Sequence, residues 1–594
     1  MTTRRCGIHC KSFANRPHEP LIELPAPMLR MKHSTEETRG LTRSGTVIRS
    51  ALVTGLAIMT AGALLMTACA EPPAPAEGPA GVLTIATPAD PDALIPPIVA
   101  SLQGKQAVDL LFDMLAHPTT TIETVGDGGF APQLASRWRW ASDSLSIAFT
   151  IDSTARWHDG RPVRAEDVAF SFALYIDPVV ASPHAGAFAG IDSVTVRDSL
   201  TAVVWWARRH PEQFFQVAYN LAIMPAHLLA PLPRATLAQS DFARQPVGSG
   251  RYRFGAWTRG QALMFDADTG NYRGAPHIAR IVWSITPDAS AASLRVLAGE
   301  ADMLEAIRLD AYAQATATKG LTLAPYHSLD YAYLAFNFAS HDPRRRDLFT
   351  SHPLRVALSA SLDRHALVQN VLGELGMVAL GPFTRAVPEA DTSVAQIAYD
   401  TTAADRTLDS LGWVRGANGM RAKNGQPLRF EVILPASSAT RQRFATLMQA
   451  QFRARGIDMQ VAALEPAQFF ARVGKGEFDA ALNMWHADPS PMAVRDVWGS
   501  PRGGDVGGNF GRYHNTAVDA VFDTAATTFD PARRRALFRR AFAEIVRDAP
   551  AIWLYEPRNM ALLRMRVHPT VLRADAWWAG IPDWRVDAPE TGGS

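Results

Sequence analysis

An α/β fold divided between two or three lobes is what this sequence predicts, and three observations carry the prediction. From Leu428 to Trp485, apolar residues alternate, then recur at helical spacing, then alternate again. That is the β-α-β-α-β order of a parallel sheet with crossover helices. The chain has 594 residues, and the part beyond Ala68 is too long for one hydrophobic core. Composition is evenly mixed, 47% hydrophobic and 20% charged, with no repeat and no low-complexity tract in the bulk of the chain.

The N-terminal stretch stands apart. An uncharged apolar run, Ala51 to Ala68, ends in Met66-Thr67-Ala68-Cys69. Arg39, Arg43 and Arg49 precede it, and a Pro/Ala/Glu/Gly tether, Ala70 to Ala80, follows. The basic-then-apolar order reads as an export signal. Small residues before a lone cysteine resemble a bacterial lipobox, in which the thiol is acylated and the chain is cut before it. Met66 stands where Leu is usual. Residues 1–68 are read as a leader, with Met28 or Met31 as alternative starts, Cys69 as the lipidation site and 69–80 as anchor and flexible tether. The competing reading is an uncleaved anchor helix; for that the run is short and carries Thr54, Gly55, Thr60, Gly62 and Thr67.

Charge and cysteine content narrow the chemistry. Nine of the 59 Lys/Arg and four of the 57 Asp/Glu fall in residues 1–68, leaving 50 against 53, a net of −3. A near-neutral chain without basic runs argues against a nucleic-acid partner. The three cysteines are Cys6, Cys10 and Cys69. After cleavage one remains, so neither a disulfide nor a thiolate metal site is available. No metal and no cofactor is expected.

The elements follow in order. Val82 to Ala86 is a short strand, and Ala107 to Leu115 has Val108, Leu111, Phe112 and Leu115 at helical spacing. Ser146 to Ile151 is a strand. Trp157-His158-Asp159-Gly160-Arg161-Pro162 is a turn, and the helix Ala165 to Tyr175 opens with Glu166 and Asp167, which complement its dipole. Arg251 to Phe254 is a strand entered by a tight turn at Gly248-Ser249-Gly250. His352 to Ser361 is a helix with Pro353 at its first position, and Asp363 caps the next, Arg364 to Leu372. Leu428 to Leu434 is a strand, Arg441 to Arg455 a helix ended by Gly456, Ile457 to Val461 a strand, Pro466 to Val473 a helix and Phe478 to Trp485 a strand. Pro531 to Arg547 is a long helix and Ala551 to Tyr555 a late strand.

Ligands of open α/β sheets bind beyond the carboxyl ends of the strands. Here that place is Trp485-His486-Ala487-Asp488-Pro489-Ser490-Pro491. Trp485 is either core or an aromatic ligand platform, and Asp488 either shapes an Asp-Pro turn or presents a carboxylate to a crevice. An aromatic face with a carboxylate suits an amine-bearing ligand. His158 and His486 have no second ligand at helical or turn spacing and read as hydrogen-bonded loop histidines. The sequence has no Gly-x-Ser-x-Gly elbow, Walker loop or His-Glu-x-x-His.

Five motifs in order resemble bacterial extracellular solute-binding protein family 5, the oligopeptide, dipeptide and nickel-type receptors of ABC importers. These are Leu134 to Trp138 with Trp157 to Phe172, Gly248 to Phe254, Leu334 to Phe338, Arg355 to Arg364, and Trp485 to Pro491. Two residues depart from the pattern: Arg164 stands where the family caps a helix with Thr, and Ser490 replaces the second Asp of "DPDP". The arginine that holds the ligand carboxylate in dipeptide binders has no clear match.

The resemblance implies a two-lobed, periplasmic-binding-protein-like fold of type II with an extra inserted subdomain and a hinge. Lobe I would be 81–117, 246–335 and 550–594, the inserted subdomain 118–245, and lobe II 336–549, with crossings near Phe336-Asn337-Phe338 and Tyr555-Glu556-Pro557. It implies a monomeric binding protein rather than an enzyme, lipid-anchored on the periplasmic or extracytoplasmic face of the membrane. Peptide or peptide-like solutes would be held by Asp488, Trp485 and His486 and delivered to permease subunits. A nickel chelate, haem, a sugar or an opine is the alternative cargo, and a secreted hydrolase on a two-lobed scaffold is the alternative class.

Overall fold

A computed structural model describes residues 80–119, 123–340, 342–502 and 507–588. Cys69 and most of the tether lie outside the described residues.

The strands that position the site are β1 (Ala80–Thr87), β2 (Ala135–Trp140), β3 (Ser146–Ile151), β4 (Ile191–Asp198), β5 (Thr201–Trp206), β6 (Tyr252–Thr258), β7 (Ala262–Ala267), β8 (Ile278–Ile285), β9 (Met303–Leu304), β10 (Leu321–His327), β11 (Asp330–Phe336), β12 (Arg429–Pro435), β13 (Asp458–Leu464), β14 (Ala480–His486) and β15 (Ala551–Arg564). The helices are α1 (Leu102–Leu111), α2 (Ala165–Tyr175), α3 (Gln213–Asn220), α4 (Ala439–Ala454), α5 (Pro466–Lys475) and α6 (Pro531–Asp548).

One twelve-stranded mixed sheet runs through the molecule in the order β13-β12-β14-β11-β15-β9-β1-β8-β7-β6, with β10 and the two-residue strand Gly376–Met377 also pairing with β15. The expected parallel unit is there: β12 runs parallel to β13 and to β14, with α4 and α5 as the crossovers. A separate four-stranded antiparallel sheet has the order β2-β3-β5-β4. One hydrophobic cluster joins Leu83, Phe149, Trp206, Ile281 and Trp584. Two others sandwich the far half of the large sheet, Leu334, Val432, Leu482 and Leu554 on one face and Tyr333, Trp498, Phe542 and Trp553 on the other.

β15 belongs to both halves. Ala551 to Tyr555 pairs with β11, and Arg558 to Arg564 pairs with β10. The sequence reading ends this strand at Tyr555 because Glu556, Pro557, Arg558 and Asn559 interrupt the apolar run. In the structure that polar interruption is where the partner strand changes. β10 and β11 run end to end in the same direction along β15, and the break between them falls opposite it, at Ser328 and Leu329. Asn337 sits at the other end of β11, fully buried, its amide donating to the carbonyls of Gly476 and Phe478 at 2.9 and 2.7 Å.

Two local expectations are corrected. The first helix is Leu102–Leu111 rather than Ala107 to Leu115: Ser101 caps it by accepting from Gly104 N. Phe112 already has extended backbone, and it and Leu115 continue the apolar spacing only because the chain beyond the helix is also buried. Gly248-Ser249-Gly250 is more than a tight turn. A Cβ at Gly248 would meet the Leu111 carbonyl oxygen at 1.8 Å, and one at Gly250 the Leu110 oxygen at 2.4 Å. Those glycines let this segment lie against the end of α1.

α2 begins where expected without a cap from Arg164. Asp167 takes over, its carboxylate accepting from Arg164 N and Ala226 N, each at 2.9 Å, and from Trp157 Nε1 at 3.3 Å.

Candidate binding cleft

β12, β13 and β14 end on one edge of the large sheet, and the chain leaves β14 there through His486-Ala487-Asp488-Pro489-Ser490. Asp488 Oδ1 accepts from Ser490 N at 2.7 Å, which folds the loop into an Asx turn. Ser490 in turn caps the 3₁₀ turn Pro491–Ala493, accepting from Met492 N.

The three residues singled out from the sequence meet different surroundings. His486 and Trp485 point to opposite faces, as successive strand residues must. Trp485 is half-buried, edge-on to Phe510 at 6.3 Å and pressed against Gly508. His486 is mostly exposed and pairs with Asp330, directly opposite on β11, at 2.9 Å. The Asp330 hydrogen bond raises the imidazole pKa against the opposing effect of burial.

Asp488 is open to water yet walled by protein. Burial pushes its carboxyl above the usual range, against the Ser490 N–H bond; the Glu212 carboxylate adds to the rise, while His486 and Lys105 oppose it. Its charge also reaches Tyr219. Glu212, Lys105 and Tyr219 all come from the other half of the molecule, and Ser490 Oγ reaches Glu212 Oε2 at 2.7 Å, so the Asp488 loop lies where the two halves meet. Lys105 bonds Asp109 at 2.9 Å and lies 5.6 Å from the centre of the Tyr219 ring.

The sequence carries no signal for Glu212, Lys105 or Tyr219. They lie hundreds of residues from Asp488 and form no motif with it. Two cavities have cationic linings. One of about 180 Å³ lies beside α1 and includes Lys105, Tyr219, Arg273 and Arg573 in its lining; its cations are already matched by Asp109, Asp113 and Asp575. The other, of about 430 Å³, lies between 306–310 with 557–559 and 371–375 with 437–443. Arg308, Arg443 and Arg558 line it, with Ser437, Ser438 and Thr440 at the start of α4. Among the described residues no group of three His, Cys, Asp or Glu is placed to hold a metal ion, and no helix is long and apolar enough to cross a membrane.

The model for bacterial extracellular solute-binding proteins, family 5 Middle, matches residues 129–505. Oligopeptide-binding protein AppA of Bacillus subtilis (strain 168) is 24% identical over 459 residues, covering 75% of this chain and 83% of that protein. The probable D,D-dipeptide-binding periplasmic protein DdpA of Escherichia coli (strain K12) is 24% identical over 515 residues, covering 85% and 94%. Among solved structures, Bacillus subtilis AppA in complex with a nonapeptide superposes with a TM-score of 0.70 at 21% identity, covering 86% of this chain and all of that one. NikA from Brucella suis in complex with Fe(III)-EDTA reaches 0.74 at 19% identity, with coverage of 86% and 100%. The family and these relatives are solute-binding proteins rather than enzymes. With the family model spanning more than half of its length, this chain belongs to family 5 of the bacterial extracellular solute-binding proteins and has their two-lobed α/β fold.

Proposed function

We propose that the protein is the lipid-anchored, extracytoplasmic receptor of an ABC importer, binding peptides or peptide-like solutes between its lobes and delivering them to the permease. The observation that carries this reading is Asp488: a carboxylate at the carboxyl end of a central strand, facing groups from the other half across a cleft. An ammonium drawn out of water needs such a charged partner. The arginine-lined cavity beside α4 offers the complementary partner for a carboxylate. Together they favour a zwitterion, which agrees with relatives named for oligopeptides and D,D-dipeptides.

In this reading lobe I is 81–117, 246–335 and 550–594, the inserted subdomain 118–245, and lobe II 336–549. The two changes of strand partner, His327 to Asp330 and Tyr555 to Arg558, move the crossings between the lobes, so that 330–335 and 550–555, which pair and pack with lobe II, travel with it on bending. Hinge closure would bury the solute and present the closed form to the permease. Cys69, outside the described residues, carries the anchor, and the receptor acts as a monomer. Trp485 and His486 flank the bound solute.

Native mass spectrometry of the purified protein, followed by extraction, tests the cargo. A co-purifying peptide or amine-bearing zwitterion is the expected result. Haem or a metal chelate in its place would overturn the peptide reading in favour of the cargo named for other relatives, the Escherichia coli nickel-binding and Haemophilus influenzae heme-binding proteins.

A further inference from the structure

One buried ion pair joins the halves. Arg534 Nη1 on α6 lies 3.0 Å from Glu212 Oε1, at the start of α3. Both side chains are withdrawn from water, Arg534 at 2% and Glu212 at 13% exposure. Thr124 Oγ1 donates to the same carboxylate oxygen at 2.8 Å. The other oxygen, Oε2, accepts from Ser490 Oγ at 2.7 Å. Ser490 N donates to Asp488. A chain of contacts therefore runs Arg534–Glu212–Ser490–Asp488, from an interlobe ion pair to the carboxylate assigned to the ligand amine. Arg535 and Glu123 make a second ion pair alongside at 3.0 Å.

We infer that Glu212 is a positioning residue that couples lobe closure to the orientation of Asp488. The inference rests on the two-lobe closure reading above. With the lobes apart, Glu212 and Arg534 are both hydrated. With the lobes together, each is desolvated and depends on the other, so removing one charge penalises the closed form. Ser490 completes the coupling. Its hydroxyl donates to Glu212, where the aspartate usual in the family would set two carboxylates against each other. Glu212 touches no ligand in this scheme; it steadies the turn that aims Asp488.

Small-angle scattering on folded full-length variants tests this. Glu212→Gln keeps the size and removes the charge; it should shift the closed-to-open ratio about tenfold to a hundredfold toward open. Ser490→Ala, which removes one hydrogen bond from Glu212 and leaves its charge, should shift it less and in the same direction. Arg534→Lys, which keeps the charge, should restore most of the closure lost in Arg534→Met. Glu212→Arg sets like charges against Arg534 and Arg535 and must open any hinged molecule. If Glu212→Arg opens the molecule while Glu212→Gln and Ser490→Ala scatter like the parent, the coupling role is overturned. If Glu212→Arg is folded and also scatters like the parent, the lobes do not hinge and the closure reading itself fails.

Discussion

Asp330 and His486 face each other across neighbouring antiparallel strands, His486 Nδ1 2.9 Å from Asp330 Oδ1, one residue beyond the turn at which β11 takes over from β10. Ser328 in that turn donates to the other Asp330 oxygen at 2.6 Å. The pair thus ties the end of β14, which carries the candidate site, to the strand change. Because Asp330 raises the imidazole pKa, the stabilising contribution is fully present below the ordinary histidine value of about 6.5. It is lost as pH rises through the higher folded value. The thermal midpoint of the parent should therefore fall on going from mildly acid to mildly alkaline buffer by more than that of His486→Asn. Equal slopes in differential scanning calorimetry would mean that the pair contributes nothing.

Asp488→Asn keeps the shape of the turn and removes the charge. A charged hydrogen bond is worth about 1.5–3 kcal/mol, so binding of a free-amine ligand should weaken by about 10- to 100-fold. N-acetylation of the ligand should weaken binding to the parent similarly and add little in the variant. Burial raises the Asp488 carboxyl, so binding to the parent should begin to fail on acidification at a higher pH than an ordinary carboxylate would dictate. Calorimetric titration of both ligand forms against both proteins decides the matter; additive losses would leave Asp488 as a turn former only.

Cys69→Ser should release the protein from the membrane fraction, because the thiol is the attachment point in the lipobox reading. Fractionation followed by washing without detergent reads this directly. A variant that stays bound would make Ala51 to Ala68 the anchor instead.

Gly248→Ala should cost about 1–3 kcal/mol or more, since its methyl would land on the Leu111 carbonyl. His158 should feel the same disturbance: its Nδ1 accepts from Gly248 N at 3.2 Å and its Nε2–H donates to Gly250 O at 2.9 Å. Gly186→Ala, with nothing within 4 Å of the new atom, is the control and should be near neutral. Chemical denaturation of both would expose a misassigned contact if the two variants matched.

The fold was legible where local pattern and tertiary burial agree. Ser146–Ile151 and Ala165–Tyr175 fall where the sequence reading puts them, because alternation and helical spacing there reflect the faces that are buried. The reading slipped at α1, where a buried extended segment continues the helical apolar spacing, and at β15, where polar residues at a change of partner look like the end of a strand. The site was legible on one side only. Asp488, Trp485 and His486 share a short motif after a strand, whereas Glu212, Lys105 and Arg534 are brought to the cleft by chain segments whose meeting no local spacing records. The place of Asp167 in the first turn of α2 hints at a role there; its bonds to Arg164 N and to the distant Ala226 N depend on tertiary structure that no local spacing records.

The strand shared by both halves also bears on how the protein is made. β15 spans Ala551–Arg564, and β11 along its first part and β10 along its second wait for it. Neither half can complete its sheet until residues 551–564 have been synthesised. If residues 1–68 are an export signal, as proposed, the chain would benefit from that delay, since domains otherwise fold as units during synthesis. Late closure of both cores by one segment would keep the nascent protein threadable until that strand has crossed.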